Sequence, residues 1–168
     1  MILRVVALAG GLLGGATASQ FPEFSQQYTQ RLGGAVDALS EVVADFDTSA
    51  ASADLTRDEA LAQMQGTAFL DSRRADMTRT FTRYDGLRAD LDVLENAGPF
   101  MRAYHATRLS DREVARAALT AFEPAVPINL AGIIFAGTGF FAGLIAVWIF
   151  FKTLLWPLRR RRRPAAGA

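Results

Sequence analysis

The chain has 168 residues, no cysteine and a formal net charge of +1. That length leaves room for one modest domain plus membrane segments, and the missing cysteine excludes a disulfide framework, a thiolate nucleophile and any cysteine metal site. The small net charge hides a partition. Between Ser19 and Ala125 there are 11 Arg against 17 Asp and Glu, a net charge of −6, while the other 7 cations (Arg4, Lys152 and the run Arg159, Arg160, Arg161, Arg162, Arg163) flank that segment and every acid lies inside it.

The first 18 residues, MILRVVALAGGLLGGATA, admit two readings. As a signal peptide, Arg4 would be the basic region, Val5 to Gly15 the apolar region and Ala16-Thr-Ala18 the cleavage site. As a retained span, the uncharged run from Val5 to Pro22 covers 18 residues, short but sufficient if Arg4 reaches up to the interface. A stripe of small residues favours retention: Ala7, Gly11, Gly14 or Gly15, and Ala18 fall on one helix face. A second stripe, Gly132, Ala136, Gly139, Gly143 and Ala146, lies near the other end of the chain. Small residues let two backbones approach and gain van der Waals contact, which drives helix association in lipid, so the two stripes are expected to pack on each other.

From Phe21 the pattern becomes two-faced. Phe21, Phe24, Tyr28, Leu32, Val36, Leu39, Val43 and Phe46 recur at steps of three and four, one apolar stripe at the helical period. Gly33-Gly34 weakens that helix and marks a place where another helix would cross closely. Asp47 to Asp54 is small and polar and reads as a connector. Thr56-Arg-Asp-Glu59 is a capping box that opens a helix carrying Leu61 and Met64, and Gly66-Thr67 interrupts it. Met77, Phe81, Tyr84, Leu87, Leu91 and Leu94 then step at a mean near 3.5, which predicts lengthwise packing against the Phe21 helix, with Asp76–Arg79 and Asp85–Arg88 pairs outside. Asn96-Ala-Gly98-Pro99 ends this helix, with glycine expected at the C-cap. Phe100, Met101 and Tyr104 make a short helical piece. Ser110-Asp-Arg-Glu113 is a second capping box, opening a helix with Val114, Ala118, Leu119 and Phe122 on one side. Pro124 and Pro127 stop it.

The last element is Pro127 to Phe151, 25 residues without a charge, long enough to cross a hydrocarbon core of about 30 Å as a helix. Lys152 and the five arginines mark its cytoplasmic end by the positive-inside rule, and Arg4 does the same for the first span. The acidic middle is then expected outside the cytoplasm. Beside a span, the arginine tail reads as an orientation signal and a contact for anionic lipid headgroups rather than a nucleic-acid site.

Chemistry-bearing constellations are sparse. His105 is the one histidine, and no histidine–carboxylate spacing of a metal site, phosphate loop or nucleophile elbow occurs. Gly10 to Gly15 lacks the Lys-Ser/Thr that a phosphate loop needs. Two polar stretches stand out. Gln20 to Gly34 crowds Gln26, Gln27, Tyr28, Gln30 and Arg31 near the first span, either as a recognition surface or as hydrogen bonding that sets helix register with aromatic anchoring. Phe69 to Arg79 places Asp71 and Arg74 one turn apart, either an exposed ion pair or part of a partner surface.

Over Ser19-Gln-Phe-Pro-Glu-Phe-Ser-Gln-Gln-Tyr-Thr-Gln-Arg-Leu-Gly-Gly-Ala-Val-Asp37 the chain resembles an uncharacterised family of small bacterial membrane proteins classed as a domain of unknown function. The resemblance implies two spans with a helical extracytoplasmic middle and no assigned activity. The expected fold is therefore an all-α membrane protein: a first transmembrane helix (or signal peptide) over 1–20, an elongated antiparallel helical extracytoplasmic domain over 21–125, a second transmembrane helix over 126–158 and a basic cytoplasmic tail over 159–168. The expected role is a non-enzymatic, cofactor-free accessory or scaffold of the bacterial inner membrane, both termini cytoplasmic. It would meet the lipid bilayer, another membrane or periplasmic protein, or a second copy of itself. The alternative is a sensor or regulatory subunit whose helical middle binds a ligand and signals through a membrane partner.

Overall fold

A computed structural model describes residues 2–124, 126 and 128–160. Arg161, Arg162, Arg163 and Pro127 lie outside the described residues. Within them all regular structure is helical and no strand occurs. The elements are α1 (Ile2–Ser19), α2 (Phe21–Ala51), α3 (Arg57–Gln63), α4 (Ala68–Glu95), α5 (Pro99–Tyr104), a 3-10 turn (Ala106–Arg108), α6 (Arg112–Thr120) and α7 (Leu130–Arg160). Two stretches are long and apolar enough to cross a membrane, one within 3–51 and one at Leu130–Leu154. The chain divides into two compact units, one made of 1–23 and 123–168, the other of 24–122. These boundaries fall just inside the expected 21–125.

In the first unit, α1 and α7 pack side by side along the small-residue stripes. As the α1 partner advances from Gly10 through Gly14 to Gly15, the α7 partner retreats from Gly143 through Gly139 to Ala136, so the two helices run antiparallel. Asn129 starts α7 by accepting the Gly132 N–H on its side-chain oxygen at 2.7 Å, which satisfies one of the unpaired first-turn donors.

In the second unit the stripes of α2 and α4 supply the core. One cluster joins Tyr28, Leu32 and Val36 of α2 to Leu87 and Leu94 of α4 and to Val114 and Ala118 of α6. The other joins Val43 of α2 to Met77 and Phe81 of α4, with Phe46, Leu61 and Tyr84 packed against it. Phe46 meets Phe81 edge to face at 5.2 Å, a geometry the ring quadrupoles favour.

Several local expectations are corrected. The Asp47–Asp54 connector is shorter than its polarity predicts: α2 runs on to Ala51, where Thr48, Ser49 and Ser52 bond their hydroxyls back to carbonyls four residues earlier and so do not compete for the helix. The bend then uses a left-handed Asp54 (φ 56°). Arg57 ties this corner together. It donates to both Asp47 carboxylate oxygens at 2.8 and 2.5 Å while its guanidinium lies over the Phe81 ring at 4.5 Å.

Gly33 and Gly34 mark no crossing, since nothing lies within 4 Å of where their Cβ would be. Asn96, not Gly98, caps the end of α4; Gly98 is extended (φ −70°, ψ 171°) and precedes Pro99 at the start of α5. Asp111 rather than Ser110 is the N-cap of α6, because its carboxylate accepts the Glu113 and Val114 N–H groups at 3.0 and 2.9 Å. Leu119 is exposed and Ala146 faces away from the seam, also exposed. Arg88 donates to the Tyr84 hydroxyl at 2.7 Å instead of pairing with Asp85. The Thr56 capping box forms as expected, with both reciprocal bonds present.

Candidate functional site

The first candidate is the glycine seam between α1 and α7. At Gly14 an added Cβ would strike the carbonyl oxygen of Gly139, and at Gly139 it would strike that of Gly14. The Cα–H that each Cβ would replace therefore points at a carbonyl across the seam, a weak Cα–H···O contact worth about 0.5–1 kcal/mol. Gly143 meets the Gly10 carbonyl in the same way and lies with its Cβ position 3.2 Å from the Gly11 Cα. Gly15 would place a Cβ 2.9 Å from the Ala136 carbonyl oxygen, and Gly11 would place one 2.8 Å from the Phe140 ring. Gly11, Gly14, Gly15, Ala136, Gly139 and Gly143 are thus brought together as the stripes predict. Gly132 is buried at the start of α7, where the Asn129 cap holds it.

One seam residue escaped the sequence reading. Gly10 faces Gly143 and Val147, four residues before Gly14. Gly10 and Gly11 both face α7, and the Gly10–Gly14 spacing, identical to Gly139–Gly143, is the signal that marks Gly10. Away from the seam the two helices expose large apolar side chains: Val5, Leu8, Leu12 and Leu13 on α1, and Ile133, Phe141, Ile145, Trp148 and Phe150 on α7. Lys152 sits with its ammonium 4.5 Å from the Trp148 ring centroid, a cation–π contact. Arg4 is exposed, and Arg159 and Arg160 belong to the end of α7.

The second candidate lies on α2, α4 and α6. Tyr28 is fully buried and its hydroxyl accepts the Asp111 N–H at 3.1 Å, so it is a core residue and no part of a partner surface. Burial raises its hydroxyl pKa above the ordinary tyrosine value, more than the Asp111 bond lowers it. Gln26, Gln30 and Arg31 are exposed and Gln27 is half-buried. Asp71 and Arg74 pair at 3.6 Å on the first turns of α4. They are not brought near the glutamines: the end of α4 that packs on Tyr28 and Leu32 is Leu87 to Leu94, and the 13 residues from Arg74 to Leu87 span about 20 Å of helix at 1.5 Å each.

What the fold does assemble around Gln30 and Arg31 is an open groove of about 400 Å³ lined also by Gly34, Arg83, Glu113 and Ala117. It adjoins a second depression of about 480 Å³ bounded by Arg31, Glu113, Arg116 and Thr120. Arg83 reaches across from α4 to Asp111 at 3.5 Å and Glu113 at 2.6 Å, and its Nε is buried without a hydrogen-bond acceptor. Sequence reasoning missed this convergence because Arg31, Arg83 and Arg116 sit on three helices far apart in the chain.

His105 is half-buried and meets Tyr104 edge to face at 5.0 Å. Among the described residues no group of three or more His, Asp or Glu side chains is placed to hold a metal ion.

Residues 2–160 match the family described as "Protein of unknown function (DUF2937)". The chain belongs to this family. It spans the glycine seam, the whole helical unit and the described part of α7, so both candidate sites lie inside DUF2937. No curated protein and no solved structure matches the chain.

Proposed function

We propose that the chain is a two-span protein of the bacterial inner membrane that acts without catalysis, as an accessory or scaffold. In this reading α1 is a retained span, α1 and α7 form a packed hairpin in the bilayer, and the helical unit meets a protein partner, or a second copy, outside the cytoplasm. The observation that carries it is the seam. Two helices hold each other through glycine backbones while their remaining faces expose leucine, isoleucine and phenylalanine. Small residues on the inside and bulky apolar ones on the outside is the arrangement expected where lipid, not water, surrounds a helix pair. In water that much contiguous apolar surface would drive association. A signal peptide has no need of a partner-matched seam.

Orientation rests on Arg4, Lys152 and the arginine tail against the acidic middle. The distribution of the two core clusters along α2 and α4 supports an antiparallel arrangement of these helices in the extracytoplasmic unit. The non-catalytic reading rests on the lone histidine and on the lack of a nucleophile–base pair in the sequence.

The native chain has no cysteine, so the test is direct. Ser52→Cys, exposed just after α2, should react with a membrane-impermeant maleimide in intact spheroplasts. Protection until lysis would reverse the orientation. Phe21→Cys with Phe135→Cys, replacing rings stacked at 5.4 Å, should crosslink in membranes. An intact mass lacking the first 18 residues would instead make α1 a cleaved leader and end the two-span reading.

A further inference from the structure

The 24–122 unit carries 15 acids and 11 arginines, so acceptors for guanidinium groups are in excess. Most arginines use them. Arg57, Arg73, Arg74, Arg79, Arg83 and Arg108 form ion pairs. Arg88 bonds the Tyr84 hydroxyl and Arg102 the Leu94 carbonyl. Among the described residues that leaves Arg31, Arg112 and Arg116, and two of these three line the same depression from opposite helices, Arg31 from α2 and Arg116 from α6. The one acid there, Glu113, is held by Arg83 at 2.6 Å, which offsets its charge. The linings of the groove and its neighbour together hold three arginines and one glutamate, a local excess of positive charge in a unit that is negative as a whole.

We propose that this depression between α2 and α6 binds a phosphate-class oxyanion, gripped by Arg31 and Arg116. A carboxylate is satisfied by one guanidinium in a bidentate pair. Two guanidiniums on separate helices instead suit a tetrahedral anion, which offers oxygens in both directions and a charge that matches them. Arg83 contributes by keeping the Glu113 carboxylate occupied and away from the anion. The same chemistry is presented by a free phosphate and by the phosphodiester of an anionic lipid headgroup.

The experiment uses the full chain in two arms. In zwitterionic detergent, inorganic phosphate is titrated by calorimetry. In parallel, the protein is drawn from mixed phosphatidylglycerol and phosphatidylcholine vesicles and its retained lipid is counted by native mass spectrometry. Wild type should bind in at least one arm, and Arg31→Gln with Arg116→Gln should weaken that binding at least about 10-fold, since two charge-assisted hydrogen-bonding groups are lost. Arg73→Gln with Arg79→Gln, the same charge change elsewhere on the unit, should leave it unchanged. Binding in the phosphate arm alone identifies a soluble source, and selective retention of phosphatidylglycerol identifies a headgroup. Binding in neither arm, equal loss in the control pair, or no loss in the Arg31/Arg116 pair overturns the site. Helical circular dichroism of both variants checks the fold. The detergent arm does not depend on α1 and α7 spanning a bilayer, so its failure and that of the membrane reading are separable.

Discussion

Tyr28 shows how one atom fixes a junction. Its ring fills the core shared by α2, α4 and α6, and its hydroxyl oxygen accepts the N–H of Asp111, the residue that caps α6. Removing only that oxygen leaves the ring in place and the Asp111 N–H without its acceptor. Tyr28→Phe should therefore destabilise the unit by about 1 kcal/mol at neutral pH, the usual net worth of one hydrogen bond to a part-buried donor, measurable by urea denaturation. The same variant should respond differently to alkali. Burial raises the Tyr28 pKa in the folded state, so the folded protein holds that proton more tightly than the unfolded chain. This contribution is fully present below the ordinary tyrosine value of about 10 and is lost as pH rises through the folded pKa. Wild type should lose stability above pH of about 10 more steeply than Tyr28→Phe. At the acid end Asp47 has the opposite sign: the hydrogen bonds from Arg57 lower its pKa, so its contribution is lost as pH falls below the ordinary aspartate range. The pair is partly exposed, so that loss is small.

The elements depend on where glycine is needed and where it is not. Gly139→Leu or Gly143→Leu should separate α1 from α7 and abolish crosslinking between Cys at positions 21 and 135, because the new side chain would occupy the Gly14 or Gly10 carbonyl. Gly137→Leu, on a face with nothing within 4 Å, should leave it intact. If all three behave alike, backbone contact is not what holds the pair. In the other unit Gly33, Gly34 and Gly86 have open space around them and no positive φ. Ala at each should raise the urea midpoint, adding up to about 1 kcal/mol per site from helix propensity. Leu94→Ala should instead cost about 2–5 kcal/mol, since Leu94 is fully buried between α2 and α6. The periodicity of α2 and α4 made nearly all of this core legible in advance. The element ends were less legible. Gly98 and Ser110 looked like caps, but capping depends on which group has the geometry to accept, and Asn96 and Asp111 have it.

For the whole chain, the division into two units has a spectroscopic consequence. Both tryptophans, Trp148 and Trp156, lie in α7, whereas most of the polar helix is in 24–122. In detergent, urea should remove much of the helical circular dichroism while tryptophan emission stays unchanged, giving two separated transitions. Coincident transitions would mean the units unfold as one. The sequence by itself determined the helical class, the two apolar stretches, the facing stripes of α2 and α4 and the partition of charge. All of these follow from residue type and local period, which act along the chain without reference to what is folded against them. Only the tertiary structure decided that Gly10 rather than Ala146 belongs to the seam, that Tyr28 is core, and that Arg31 and Arg116 share a groove whose acid is already held by Arg83. Those outcomes depend on helix rotation and on contacts between helices distant in sequence. A rotation of one residue, 100° in an α-helix, is enough to exchange a seam position for an exposed one.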